Sequence, residues 1–264
     1  MERELEVAVA AAHEAGLAIA RVYGRVRAGG IDVTDKADGK GPLTEADLLA
    51  DQILRERLMA AFPDDGWLSE ETKDDAARLA KPRCWIVDPL DGTREFTLGI
   101  PEFVVSVGLA IGGTARLGVV HQPITGLTVS GFTDEHGVGR AFVADGPART
   151  SDRAHMDGAR LLVSRNELEK GGFGAWEGRI RLEPMGSVAY KLALVAIGQA
   201  DGTFTPKPRN EWDLCGGVAV VDAAGGRCTD GAGRPYRFNR ADPLHHGVVG
   251  TNGHLHDEIL GWIR

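Results

Sequence analysis

Cysteine is nearly absent: Cys84, Cys215 and Cys228 are the only three in 264 residues. The number is odd, no C-x-x-C pair occurs, and each lies among apolar residues. A disulfide framework is thereby excluded, and the pattern predicts reduced core thiols in a cytoplasmic protein. Aromatic residues make up only 6% of the chain, and the tryptophans are expected in the core and not on a base-stacking platform. No apolar run reaches the roughly 18 residues of a membrane span. The chain opens Glu2-Arg3-Glu4-Leu5-Glu6, acidic where a signal peptide is basic, so neither export nor a membrane partner is expected. Positive charge is also short, with 30 Lys and Arg against 38 Asp and Glu and a formal net charge of −8. Neutralising a nucleic-acid backbone needs a clustered basic surface that this chain lacks. A small phosphorylated molecule stays compatible if a metal ion supplies the positive charge. The motifs G-x-x-x-x-G-K-[ST], G-x-G-x-x-G after a strand, G-x-S-x-G and H-E-x-x-H are all missing. ATP-dependent transfer, dinucleotide redox chemistry, serine hydrolysis and zinc proteolysis lose support accordingly.

The 36 glycines follow no fixed period and read as punctuation between many short elements. Apolar residues three or four apart from Glu4 to Tyr23 predict an amphipathic helix. A strand over Ile31 to Thr34 and a loop over Lys36 to Pro42 follow, and Thr44 with Asp47 three residues on caps a second helix that runs to Pro63. Trp67 to Glu71 reads as a short strand ending in two carboxylates, and Arg83 to Val87 as a buried strand leading into Asp88-Pro89-Leu90-Asp91-Gly92-Thr93. Alternating segments at Val104 to Ile111, Leu117 to His121, Leu127 to Phe132 and Val138 to Val143 describe an antiparallel meander. The polar stretch from Asp145 to Asp157 marks a boundary, giving sub-domains 1–145 and 146–264. Beyond it, strands are expected at Leu161 to Ser164, Ile180 to Leu182, Thr203 to Thr205 and Gly247 to Gly250. Helices are expected at Ser187 to Ile197, Trp212 to Ala224 and Leu255 to Ile263. The fold class is therefore α/β of the α+β type, with layered mixed sheets.

Four segments place acids at the ends of elements: Thr44 to Asp47, Glu70-Glu71, Asp88 to Thr93, and Trp212-Asp213. Asp88 closes an apolar strand, where a charge is costly unless paired or metal-bound, and Pro89 should turn the chain out of the sheet. With Asp91 returning three residues later, both carboxylates and the Leu90 carbonyl can face one point. That all-oxygen set suits Mg²⁺ over metals that prefer nitrogen or sulfur. Gly92 and Thr93 would open a short helix whose free N–H groups face an anion. Each segment also has an ordinary reading, as an N-cap, a turn or a solvated pair, so the functional case rests on their joint occurrence. His245-His246 and His254-x-His256 have no partners at zinc spacing and are expected at the surface.

The segments L-T-E-A-D (43–47), S-E-E (69–71), W-I-V-D-P-L-D-G-T-R-E-F (85–96) and E-W-D-L-C-G-G-V-A-V-V-D-A-A-G-G (211–226) resemble, in order and spacing, the inositol monophosphatase superfamily of Mg²⁺-dependent, lithium-sensitive phosphomonoesterases. The resemblance spans most of the chain and implies an αβαβα sandwich with two or three Mg²⁺ per site. It would place the first metal on Glu70, Asp88 and the Leu90 carbonyl, and the second on Asp88, Asp91 and Asp213. Asp47 and Thr93, with Glu70, would serve catalysis by polarising the attacking water. Gly92, Thr93, Gly186, Ser187 and Asp213 would contact substrate, and Glu71 would stand behind the ligands. Arg94-Glu95-Phe96 and Ser69 look like the bacterial 3′(2′),5′-bisphosphate nucleotidases, and Pro206 stands where inositol enzymes carry a hydroxyl-binding glutamate. Lys207 and Arg209 could then pair with the second phosphate of a nucleotide. The resemblance thus implies hydrolysis of adenosine 3′,5′-bisphosphate, with inositol monophosphate or a sugar phosphate as the alternative. A homodimer is compatible with the sequence, which does not fix the oligomeric state.

Overall fold

A computed structural model describes residues 1–26, 33–35, 42–144, 146–171, 173 and 180–263 of the chain. Ile31 and Asp32 of the strand expected over Ile31 to Thr34, and all of the loop expected from Lys36 except Pro42, lie outside the described residues. Within them, the two-residue strands β1 (Thr34–Asp35) and β2 (Pro42–Leu43) pair antiparallel.

The outer layer is a helix pair, α1 (Glu2–Val26) and α2 (Glu45–Ala61). Their buried residues recur at three and four, with Ala8, Ala11, Ala12, Ala15 and Ile19 on one helix and Ala46, Ala50, Leu54 and Leu58 on the other. These stripes cover one face of a seven-stranded sheet, where they meet Trp85, Val87, Phe103, Val105 and Val119. That sheet runs in sequence order through β3 (Gly66–Ser69), β4 (Arg83–Asp91), β5 (Val104–Ile111), β6 (Thr114–His121), β7 (Thr128–Thr133), β8 (Gly139–Val143) and β9 (Gly146–Pro147). Only β3 and β4 are parallel, and the rest is the expected antiparallel meander. A one-turn 3₁₀ helix, Ala76–Ala80, crosses between β3 and β4, and α3 (Thr93–Thr97) follows β4.

The second half forms β10 (Arg160–Ser164), α4 (Arg165–Glu169), β11 (Arg181–Met185), α5 (Val188–Ala196), β12 (Gly202–Asn210), α6 (Glu211–Ala223), β13 (Arg227–Thr229), β14 (Leu244–Thr251) and α7 (His256–Ile263). Its five strands form a mixed sheet ordered β11-β10-β12-β14-β13. Helices α5 and α6 lie between the two sheets, joining Leu192, Val195, Cys215, Val218 and Val220 to Ile86, Val104 and Val120 of the first sheet and to Val248 of the second. Helix α7 and the Leu255 that precedes it cover the far face, packing Leu255, Ile259 and Leu260 on Leu161, Phe204 and Val249. The layering is αβαβα, and all three cysteines are free and buried, as the composition implied. No helix among the described residues is long and apolar enough to cross a membrane.

Helix α6 sits so close to the first sheet that glycine is required on both sides. A Cβ on Gly118 would be driven into the Gly216 carbonyl oxygen, and one on Gly216 would lie 2.7 Å from Ser106 Oγ and 2.9 Å from the Val107 carbonyl. Backbone cannot give way as a flexible side chain can. Gly118→Ala should therefore lower the unfolding free energy by about 3 kcal/mol in urea titrations. Gly24→Ala, in α1 with nothing within 4 Å of the added methyl, should instead leave stability unchanged or raise it by up to about 1 kcal/mol. Equal effects at the two positions would contradict this account of the packing.

Three sequence expectations are corrected. Pro89 does not end its strand: β4 continues to Asp91, with an irregularity between Asp88 and Asp91 that spares the proline a ladder N–H. Strand β12 likewise runs past Thr205 through Pro206 and Pro208, where the register shifts between Thr205 and Pro208. Lys207 and Arg209 thus lie on this strand, beyond the end expected at Thr205. Finally, His245 and His256 are buried, although His246 and His254 are exposed. His256 is held between the Thr229 and Thr251 hydroxyls at 3.0 and 3.1 Å, and His245 packs its ring edge-on against Tyr236.

Candidate active site

Most of the sequence-predicted residues converge where the C-terminal end of β4 meets α6. A cleft of about 380 Å³ is lined by Glu70, Asp88, Leu90, Asp91, Gly92, Thr93, Gly186, Ser187, Arg209 and Asp213, among others. Asp88, Asp91 and Asp213 each bring one carboxylate oxygen to within 4.8 Å of the other two. Asp88 and Asp91 come from the irregular end of one strand, and Asp213 from the first turn of α6, so the cluster forms only when the two halves pack. Glu70 follows β3 directly, and its amide donates to the Val87 carbonyl at 3.3 Å, which sets it beside β4.

These carboxylates serve the backbone as well as the cleft. Asp88 Oδ1 accepts from Leu90 N at 3.1 Å, shaping the turn. Asp91 Oδ2 accepts from Ser187 Oγ at 2.7 Å and Ala189 N at 2.6 Å. Asp213 Oδ2 accepts from Asn210 N at 2.8 Å, closing a capping box on α6. A carboxylate has lone pairs enough to cap a helix with one oxygen and present the other to a cation, so the ordinary and functional readings coexist. The same holds for Asp47. Its Oδ2 accepts from Thr44 N at 2.8 Å and Thr44 Oγ1 at 2.6 Å, while Oδ1 stands 3.0 Å from Thr93 Oγ1. Thr93 Oγ1 is equally 3.0 Å from the Leu90 carbonyl. Gly92 takes φ +103° ahead of α3, and a Cβ there would meet the Glu102 carbonyl at 2.7 Å, so only glycine lets the chain turn here.

Crowding acids in a protein interior is unfavourable without a counter-charge. Burial pushes the Asp91 carboxyl above its ordinary range despite the hydrogen bonds from Ser187 and Ala189. Burial, followed by the charges of Asp91 and Glu70, pushes Asp213 up to about 8. A hard divalent cation fits this donor set, which is all oxygen with no histidine or thiolate in the cluster. The sign of the resulting pH dependence is fixed. Groups with folded pKa values above their unfolded ones favour the folded state at low pH, and that advantage is lost as pH rises from the ordinary carboxylate range toward about 8. Urea midpoints in EDTA should fall between pH 5 and 8.5 more steeply than in saturating Mg²⁺, because the cation takes over from the proton. Parallel profiles would contradict it. Glu211, raised to about 7, titrates alike in both buffers and cancels.

Sequence reasoning missed several groups. Lys191 is buried, lines the cleft, and donates from Nζ to the carbonyls of Ser187 at 2.7 Å, Met185 at 3.3 Å and Gly186 at 3.4 Å. It helps hold Ser187 at φ +54°, a strained conformation for a residue with a side chain. Burial lowers the Lys191 ammonium to about 8, although Asp91 opposes the shift. Glu95 fills the space that a Cβ on Gly186 would need, 2.5 Å away, and Glu102 accepts from Gly186 N while binding Arg165 through both oxygens. Arg209 lines the cleft and pairs with Glu167 at 3.2 Å, whereas the exposed Lys207 does not line it. Nothing in local spacing announces Glu102, because its partners come from other elements, and Lys191 gives no periodic signal because its partners are backbone carbonyls four to six residues before it.

Comparison with known proteins gives the family and the fold. The model of the inositol monophosphatase family matches residues 1–263. The inositol-1-monophosphatase of Rhizobium meliloti is 35% identical over 241 residues, covering 88% of this chain and 87% of that protein. The 3′(2′),5′-bisphosphate nucleotidase CysQ of Escherichia coli is 35% identical over 236 residues, covering 86% of this chain and 90% of that protein. Among solved structures, an inositol monophosphatase from Thermotoga maritima superposes with a TM-score of 0.83 at 28% identity, covering 100% of this chain and 97% of that one. The chain belongs to the inositol monophosphatase family and is a metal-dependent phosphoric monoester hydrolase.

Proposed function

We propose that this chain hydrolyses a phosphate monoester with Mg²⁺ as its cation, and that its substrate is adenosine 3′,5′-bisphosphate. The observation that carries the chemistry is the triad of Asp88, Asp91 and Asp213 beside the Asp47–Thr93 pair. Glu70, Asp88, the Leu90 carbonyl, Asp91 and Asp213 would hold the cation. When bound, Mg²⁺ supplies the positive charge that lets an anionic phosphate enter an acidic cleft and makes water a better nucleophile. Thr93 Oγ1 donates toward Asp47 Oδ1 and offers its lone pair to a water, aligning it with phosphorus. As the water oxygen bonds to phosphorus and the ester P–O bond breaks, the water's proton passes through Thr93 to Asp47, and the departing alcohol takes a proton from solvent. Gly92 and Thr93 would contact the phosphate through their backbone. Ser187 and Gly186 shape the wall where the alcohol portion rests.

For the substrate, the two guanidinium groups at the cleft, Arg94 and Arg209, support recognition of a second phosphate, and the departure at Pro206 argues against inositol. Lys207 has no place in this reading, since it does not line the cleft. The R. meliloti relative, as similar in identity as CysQ, favours inositol phosphate as the second reading. Phosphate release from adenosine 3′,5′-bisphosphate, myo-inositol 1-phosphate and fructose 1,6-bisphosphate in Mg²⁺ separates them. A higher kcat/KM for the nucleotide is expected, and preference for inositol phosphate would overturn the assignment.

A further inference from the structure

Helix α2 reaches the site twice. Asp47, in its first turn, contacts Thr93. Asp51, four residues on and so on the same helical face, contacts the segment that carries Glu70. Its Oδ1 accepts from Ser69 Oγ at 2.5 Å and its Oδ2 from Thr72 Oγ1 at 2.6 Å. These hydroxyls bracket Glu70 and Glu71, and Ser69 Oγ also stands 3.4 Å from Glu71 N. One end of the segment is fixed by β3 and the Glu70 amide, but beyond Glu71 no strand or helix follows until Ala76. Asp51 ties that end to α2 through Thr72. Charge-assisted hydrogen bonds of this length are short and directional.

We propose that Asp51 is a positioning residue of the cation site, stapling Ser69 and Thr72 so that the Glu70 carboxylate is held toward Asp88, Asp91 and Asp213. Helix α2 thereby sets the cation side of the site, through Asp51, at a fixed distance from the water-orienting side, through Asp47. Ser69, read in the sequence only as a mark of resemblance, acquires a physical reason: glycine there would leave one Asp51 oxygen without this donor. The inference rests on Glu70 being a cation ligand.

The test is Mn²⁺ binding to substrate-free protein by isothermal titration calorimetry, so that turnover is not the readout. Removing a group that orients a metal ligand weakens affinity by roughly 10- to 100-fold. Asp51→Ala should raise the Mn²⁺ Kd about tenfold, and Asp51→Asn, which offers an oxygen and an amide to the two hydroxyls, should recover most of it. In a Glu70→Gln background Asp51→Ala should weaken binding no further, because it acts through Glu70. Losses that add in the double variant, or wild-type affinity in Asp51→Ala, would overturn the proposal. Should Asp51→Ala fail to fold, Ser69→Ala with Thr72→Val removes the same contacts and must show the same dependence on Glu70. Wild-type affinity in Glu70→Gln would remove the ligand role of Glu70 and this inference with it. A weakened Glu70→Gln beside an unaffected Asp51→Ala would remove the inference alone.

Discussion

Asp88→Asn should lower kcat/KM by on the order of a thousandfold or more while leaving the metal-free protein at least as stable as wild type. Asp88 is 1% exposed and lies at the end of an apolar strand. Its Oδ1 accepts from Leu90 N, and an asparagine carbonyl can still accept that bond, so the turn survives. What is lost is one negative charge from a cluster in which three carboxylate oxygens lie within 4.8 Å of one another. With a cation present that charge contributes several kcal/mol to holding it and to screening the phosphate, and each 1.36 kcal/mol is a factor of ten. In EDTA the same charge is repelled by Asp91 and Asp213, so its removal relieves that repulsion, a common relation between function and stability at active sites. Phosphate release and urea unfolding of the one variant check both halves. Activity above about a tenth of wild type, or a large loss of stability in EDTA, would contradict this reading.

The second large effect concerns the Asp47–Thr93 pair. Thr93→Val keeps the side-chain shape and removes the hydroxyl, and Asp47→Asn keeps an acceptor for Thr44 N but not the base. Each should reduce kcat by about a hundredfold or more, the usual range for a positioned acid or base. The double variant should be little worse than either single, because groups that act as a unit lose their effect together. Only Asp47→Asn should also lower stability, by up to about 1 kcal/mol, through the weakened cap of α2. Multiplying losses in kcat would show that the two side chains act separately.

The layers and meander were legible because their signals are local: apolar periods, glycine-rich turns, and acids at strand ends. The Asp88-to-Asp91 turn was readable for the same reason, although a strand irregularity around Pro89 delivers it instead of a turn out of the sheet. Asp47 and Asp213 illustrate why a capping reading and a catalytic reading need not compete, since each carboxylate serves both. Residues whose meaning depends on distant partners were not legible. Asp51 acts on hydroxyls 18 and 21 positions away, and Lys191, although it bonds carbonyls only four to six residues back, is turned onto them by a burial that only tertiary packing creates. His245 and His256 misled because their burial depends on Tyr236 and two threonines brought together by β13 and β14. Lys207 and Arg209, two residues apart, have different surroundings because only Arg209 reaches the cleft and Glu167.

All of this depends on whether the acid cluster is a cation-dependent phosphomonoesterase site. The most direct measurement is phosphate release from the substrate panel by purified protein, first in EDTA and then after Mg²⁺ is restored in excess. Turnover should vanish in EDTA and return with Mg²⁺. Turnover that persists undiminished in EDTA, or that fails to appear on every member of the panel with Mg²⁺ present, would contradict the account.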